Sequence, residues 1–377
     1  MSANFSLFFA FYLLTPLLPL YLSEHFHAGK DLIGLVLSGY TIAALLFRPF
    51  SGYIVDSFDR KKVLIICFLI YSLFFASYLL ASSLLLFAIV RTLHGAPFGA
   101  STVVNSTVAI DVLPSSRRNE GIGFYGLSNN IATAIAPTVG VFVYRYTHNF
   151  DILFFMALFF AFLGLFFSYR VKLPKKETVR NTSKISLDRF FMTKAWFLAL
   201  NMIFFSFCYG VLSNYLAIYS KERLNMTAGT GTYFMLLSLG LILSRLQGNK
   251  ALKEGKLTQN AFIGIIFSCF GYGFFAFFPS VWDYYLSALL IGLGNGHMYP
   301  AFQNMIINIA NHNERGTANS TLLTSWDIGV GLGIVAGGFV AEHSGYYQAF
   351  FTVALVHIAG FLFYAFLTQK LFIKHRK

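Results

Sequence analysis

The sequence predicts an all-α membrane protein of twelve transmembrane helices, arranged as two pseudo-symmetric six-helix bundles. Three observations carry that expectation: an apolar composition, a series of apolar runs each long enough to span a bilayer, and a repeat relating the two halves. Of 377 residues, 56% are hydrophobic and 11% are charged, with a mean hydropathy of +0.64. A soluble domain carries about a quarter charged residues. A helix needs about 20 apolar residues to cross a ~30 Å hydrocarbon core. Helices satisfy their own backbone polar groups there, which makes them the expected spans.

In the first half the runs fall near 4–23, 33–55, 63–80, 84–110, 121–144 and 150–169. The first lacks a basic flank and a cleavage site, so it reads as a retained helix rather than a signal peptide. The second closes on the basic turn Arg60, Lys61, Lys62, and only Ala81, Ser82 and Ser83 separate the third from the fourth. The fourth carries Arg91, the fifth holds Pro137, and the sixth runs into a polar stretch. That stretch, 171–193, divides an N-terminal bundle (1–170) from a C-terminal bundle (194–377). The second half repeats the series near 195–219, 228–248, 259–278, 283–309, 317–341 and 347–369, with a turn at Pro279 and Ser280.

The net charge of +13 invites a nucleic-acid reading, but its distribution argues for topology. One side of the expected membrane holds Arg60, Lys61, Lys62, Arg117, Arg118, Lys250, Lys253, Lys256 and Arg315, eight more basic residues across 170–194, and four in the tail. The other side holds four: Lys30, Arg145, Lys221 and Arg223. By the positive-inside rule the basic side, both termini and the linker are cytoplasmic. The expected location is a bacterial inner membrane, with the lipid bilayer as a partner and no nucleic acid. Cys67, Cys208 and Cys269 match no zinc, haem or redox spacing and read as buried packing thiols. No metal is expected.

A shift of 197 superimposes the halves. Gly95 meets Gly292, Gly99 meets Gly296, Arg118 meets Arg315, Ser128 meets Ser325, and Gly140 meets Gly337. Ala132 and Ala136 meet Gly329 and Gly333. A shift of 196 brings Gly52 onto Gly248. Repeated halves are a recurrent architecture of secondary transporters, whose substrate site lies near the midplane at the repeat interface.

The loop after span 2 reads Gly52, Tyr53, Ile54, Val55, Asp56, Ser57, Phe58, Asp59, Arg60, Lys61. It resembles the signature of the major facilitator superfamily: Gly, three residues, Asp-Arg, one residue, Gly-Arg-Arg/Lys. Gly52, Asp56, Arg60 and Lys61 match, whereas Ser57 and Asp59 replace an Arg and a Gly. Arg91, Gly95 and Gly99 in span 4 resemble the family's Arg-x-x-x-Gly element. Ala132, Ala136, Pro137 and Gly140 in span 5 are similar to the Gly-rich element of its proton-coupled exporters, with Ala for two glycines. The resemblance covers the whole chain and is closest to the 12-helix proton-coupled drug and small-molecule exporters. It implies a gating latch made by Gly52, Asp56, Arg60 and Lys61 with the start of span 11 near Gly316 and Thr317. It also implies a monomer.

The residues have readings of their own. Asp327 lies near mid-span, where desolvation favours proton exchange, and is the expected proton-coupling site, with His94 and His297 as further candidates. Its repeat mate is Asn130, beside Asn129. Arg91 costs roughly 2.5–3.5 kcal/mol to insert, a cost accepted to bind an anionic group or tune a protonatable neighbour; the bland alternative is an arginine snorkelling to the interface. Arg91, Asn129, Asn130, Asn105, Tyr12, Asn295 and Gln303 are expected to line a substrate cavity. Gly95, Gly99, Gly140, Gly329, Gly333 and Gly337, with Pro137, are expected to serve packing or hinge motion.

No nucleotide-binding loop is present, so no cofactor is expected and the energy comes from a proton or substrate gradient. There is no nucleophile–base pair to suggest an enzyme. The expectation is a proton-coupled exporter of a small organic molecule. A proton-coupled uptake symporter for a sugar, organic acid or peptide is the alternative on the same fold, and a membrane sensor or enzyme the alternative of another class.

Overall fold

The computed structural model describes residues 1–15, 17–28, 30–173, 190–226, 230–277 and 280–376. Most of the expected linker, 174–189, lies outside the described residues. Those described are almost wholly helical, with no strand. The first expected span is broken into α1 (Ser2–Leu14) and α2 (Leu18–Phe26). Spans two to six are α3 (Lys30–Ser57), α4 (Arg60–Leu79), α5 (Leu84–Val112), α6 (Arg118–Thr147) and α7 (Phe150–Arg170). Spans seven to eleven are α8 (Trp196–Leu224), α9 (Thr230–Lys253), α10 (Leu257–Phe277), α11 (Val281–Ile309) and α12 (Arg315–Ser344). The last is α13 (Tyr346–Phe363), which passes through a π-helical turn (Tyr364–Thr368) into α14 (Gln369–His375). Among the described residues, eight helices are individually long and apolar enough to cross a membrane.

The chain groups into two compact units. The first comprises residues 1–114, 125–191 and 313–320; the second comprises 115–124, 192–312 and 321–377. Each therefore takes in the N-terminal end of a helix, α12 or α6, from the other half of the sequence.

Within the first unit α1 and α4 pack on α7, and α3 and α4 pack on α5. The second repeats the scheme, with α8 and α10 on α13 and α9 and α10 on α11. Lipid tails are as apolar as leucine, so close packing rather than the hydrophobic effect brings such helices together. The repeated glycines supply it. A Cβ on Gly95 would strike the carbonyl oxygen of Tyr40, and one on Gly292 would strike that of Leu237, again 197 residues on. The turns match too: Ser83 caps α5 through the Leu86 amide, and Ser280 caps α11 through that of Asp283.

Each unit also holds a four-ring aromatic core. In the first, Tyr21 contacts Phe87 and Phe154, and Tyr78 contacts the same two rings, at centroid distances of 5.1–5.5 Å. In the second, Phe275 contacts Tyr219, Tyr284 and Phe350 at 4.7, 5.9 and 4.5 Å. Tyr219, Phe275, Tyr284 and Phe350 stand 198, 197, 197 and 196 residues after Tyr21, Tyr78, Phe87 and Phe154.

Candidate functional site

At the end of α3, the Asp56 carboxylate accepts the backbone N–H groups of Gly316 and Thr317 at 3.0 and 2.8 Å, and the Thr317 hydroxyl at 3.1 Å. It thus sits on the positive N-terminus of α12, an arrangement worth up to ~2 kcal/mol when partly buried. Arg60 donates to Asp56 at 2.8 Å and bonds Asp111, which also takes Arg315 at 3.0 Å. Gly52 makes the approach possible, since a Cβ there would lie 3.0 Å from the Gly316 carbonyl oxygen. All these residues belong to the first unit. Lys61 is directed elsewhere: its amine bonds the carbonyls of Tyr169 and Val171, closing the end of α7.

The second unit holds the repeat-related pair with exchanged chemistry. Lys253 and Glu120 correspond to Asp56 and Thr317 under the 197 shift. Arg117 first, and Lys253 after it, hold the Glu120 carboxyl below its ordinary range. Surface ion pairs of this kind are screened by solvent, so the buried Asp56 network, with its backbone and guanidinium partners, is the stronger of the two. Sequence reasoning missed Asp111 as its centre. The signal was faint, because the repeat places Asn308 there.

Arg91 lies deep in the first unit, 5% exposed. Its guanidinium stacks 3.9 Å from the Tyr40 ring centre, with Phe11 at 5.9 Å, and donates to the Tyr78 hydroxyl at 3.2 Å. Tyr78 lies 2.8 Å from His94 Nδ1. His94 is fully buried among Tyr71, Phe74 and Phe75. A desolvated cation–π contact contributes ~2 kcal/mol and a hydrogen bond about 1, close to the roughly 2.5–3.5 kcal/mol insertion cost. These contacts hold the guanidinium inside the unit, and snorkelling is not its situation. Tyr78 also borders a cavity of about 590 Å³ shared with Tyr21, His25, Ser82, His148 and Asp151.

In the second unit Asp327 is half-buried on α12. Its chain neighbour Trp326 packs on Tyr209 and Tyr299, at 5.6 and 5.5 Å, an aromatic trio not foreseen from sequence. His297, 2% exposed, contacts Asn260 at 2.9 Å through Nδ1 and Gln247 at 3.4 Å through Nε2. The Asn260 amide donates to the His297 carbonyl at 3.1 Å, so its oxygen faces the ring and Nδ1 carries the proton.

The polar residues expected to line a substrate cavity fall in both units. Asn105 donates to Asn4 at 3.1 Å, in a network with Tyr125 and Ser128 inside the first unit. Asn129 and Asn130 are half-buried on α6, and Tyr12 packs against Phe8 and Phe11. Asn295 and Gln303 are buried on α11. Gly140 approaches Leu13, and Gly329, Gly333 and Gly337 pack on α8 at Ile203, Phe207 and Val211. Pro137 lies within a continuous α6; its side chain is outside those described.

The Major Facilitator Superfamily model matches residues 1–286 and 261–372. Among curated proteins, the staphylopine export protein of Staphylococcus aureus is 24% identical over 332 residues, covering 85% of this chain and 83% of that one. The quinolone resistance protein NorA of the same species is 23% identical over 352 residues, covering 90% and 88%. Among solved structures, the human organic anion transporter MFSD10 superposes with a TM-score of 0.82 at 16% identity, covering 96% of this chain and 97% of that one. FucP in its outward conformation superposes at 0.77 with 17% identity, covering 97% of each. With family match, repeat and fold in agreement, the chain belongs to the Major Facilitator Superfamily and is a multi-pass membrane transporter, not an enzyme.

Proposed function

We propose that this transporter is a proton-coupled exporter of a small organic compound, working as a monomer by alternating access in a bacterial inner membrane with both termini cytoplasmic. The observation that carries the reading is Asp327, a half-buried carboxylate in the middle of α12, next in the chain to Trp326, whose ring packs on Tyr209 and Tyr299. The two efflux relatives support the direction. Protonation from outside neutralises Asp327 and loosens substrate, and deprotonation inside resets the cycle. His297, with its tautomer held by Asn260, serves as a relay. The Asp56 network is the latch that must release as α12 moves. One proton crossing 100 mV supplies about 2.3 kcal/mol, enough for roughly fiftyfold accumulation.

The test is proton release from purified protein on adding candidate substrates, wild type against Asp327→Asn. Release that vanishes in the variant is expected. Unchanged release moves coupling to another residue, His297 first. Substrate binding without any release overturns the antiport reading and favours uptake.

A further inference from the structure

The repeat that builds the two units breaks its symmetry at one buried place. Under the 197 shift Arg91, His94, Tyr78 and Tyr40 correspond to Ala288, Ile291, Phe275 and Leu237. The equivalence is structural as well, because Gly95 abuts the Tyr40 carbonyl as Gly292 abuts that of Leu237. The second unit thus completes the same helix packing with apolar side chains. The fold does not require a charge here, and replacing buried ionic groups by apolar ones is often stabilising.

The polar groups of the first unit are also incompletely used. Arg91 has no carboxylate within ion-pair distance among the described residues, and its Nε makes no hydrogen bond. The Tyr40 hydroxyl, also buried, makes none either. Native proteins rarely leave buried donors unfilled without reason. One face of the Arg91 guanidinium is taken by the Tyr40 ring, but its Nε edge retains the planar geometry that suits a carboxylate. Phe98, stacked on Phe11 at 4.7 Å and tilted against Tyr40 at 5.3 Å, adds an apolar surface.

We propose that Arg91, with Tyr40 as a second donor, is the binding site for the carboxylate of an aromatic or otherwise apolar organic acid. This names a substrate class for the transporter and rests on its being one, but does not depend on Asp327 or on the direction of transport. Tyr78 places the cluster one side chain from the 590 Å³ cavity of the first unit.

The experiment is equilibrium binding of tritiated benzoate to the purified, detergent-solubilised protein, with unlabelled benzoate and the neutral isostere benzamide as competitors. Saturable binding displaced by benzoate and not by benzamide is expected. Arg91→Met should abolish it and still elute as a monodisperse species, since the second unit shows the position accepts an apolar side chain. Tyr40→Phe, which keeps the stacked ring, should weaken binding roughly tenfold. Should Arg91→Met not fold, Arg91→Lys retains the charge without the planar donor edge and should also bind at least roughly tenfold more weakly. Absent saturable binding in the wild type, or undiminished binding in the Arg91 variants, overturns the proposal. Proton release on substrate addition is a separate readout, so failure here leaves the exporter reading standing.

Discussion

At the scale of single residues, partners decide which charges matter. Asp56 is 9% exposed and accepts two backbone amides, a hydroxyl and a guanidinium. Asp56→Asn replaces one acceptor oxygen by a donor facing those groups and leaves Arg60 and Arg315 with a single carboxylate. It should cost about 2 kcal/mol, read as a lower thermal midpoint in detergent. Glu120→Gln, at the repeat-related pair near the surface, should leave the thermal midpoint essentially unchanged. Comparable losses would show that the two sites are equivalent and that burial is not the reason for the difference. The signature motif made Asp56 and its α12 partner legible from sequence. Asp111 was not legible, because an acid at a helix end next to Arg117 and Arg118 looks like any solvated loop residue.

At the scale of helices, backbone contact rather than side-chain chemistry sets the tolerance. A Cβ on Gly95 or Gly292 collides with a carbonyl of the facing helix, which cannot swing aside as a side chain can. Gly95→Ala and Gly292→Ala should therefore reduce the yield of folded protein in fluorescence-detected gel filtration. Gly273→Ala, with open space around it, should be neutral or stabilising by roughly 0.5–1 kcal/mol. The π-helical turn ending α13 has its own support. Asn201 donates to the Gly360 carbonyl at 2.9 Å and accepts the Thr368 hydroxyl. Its buried amide is thus committed to structure rather than to a cavity. Asn201→Ala leaves these groups unsatisfied and should cost about 1–3 kcal/mol, whereas an unchanged thermal midpoint would mean that the turn stands without it.

At the scale of the whole molecule, the charge asymmetry of the loops carries the expected orientation. Single cysteines introduced at Glu254 and at Ser82, in a background free of Cys67, Cys208 and Cys269, should react from opposite sides of the membrane. With an impermeant maleimide on intact cells, Ser82→Cys is expected to label and Glu254→Cys only after permeabilisation. The reverse pattern would invert the topology. Much of the architecture was open to reading at this scale because it depends on one-dimensional quantities. Run length, basic-residue counts and the spacing of glycines determined the number of spans, the expected orientation and the repeat, since bilayer thickness and the helix rise translate them directly into geometry. Only the tertiary structure decided the rest: that α1 and α2 are separate helices, that Lys61 closes α7 instead of meeting Asp56, that four aromatic rings recur in each unit, and that Arg91 stacks on Tyr40 with donors to spare. The physical reason is that such features depend on which face a helix turns toward its neighbours. In lipid, where 45 phenylalanines can face inward or outward at little difference in cost, the sequence period alone does not choose that face.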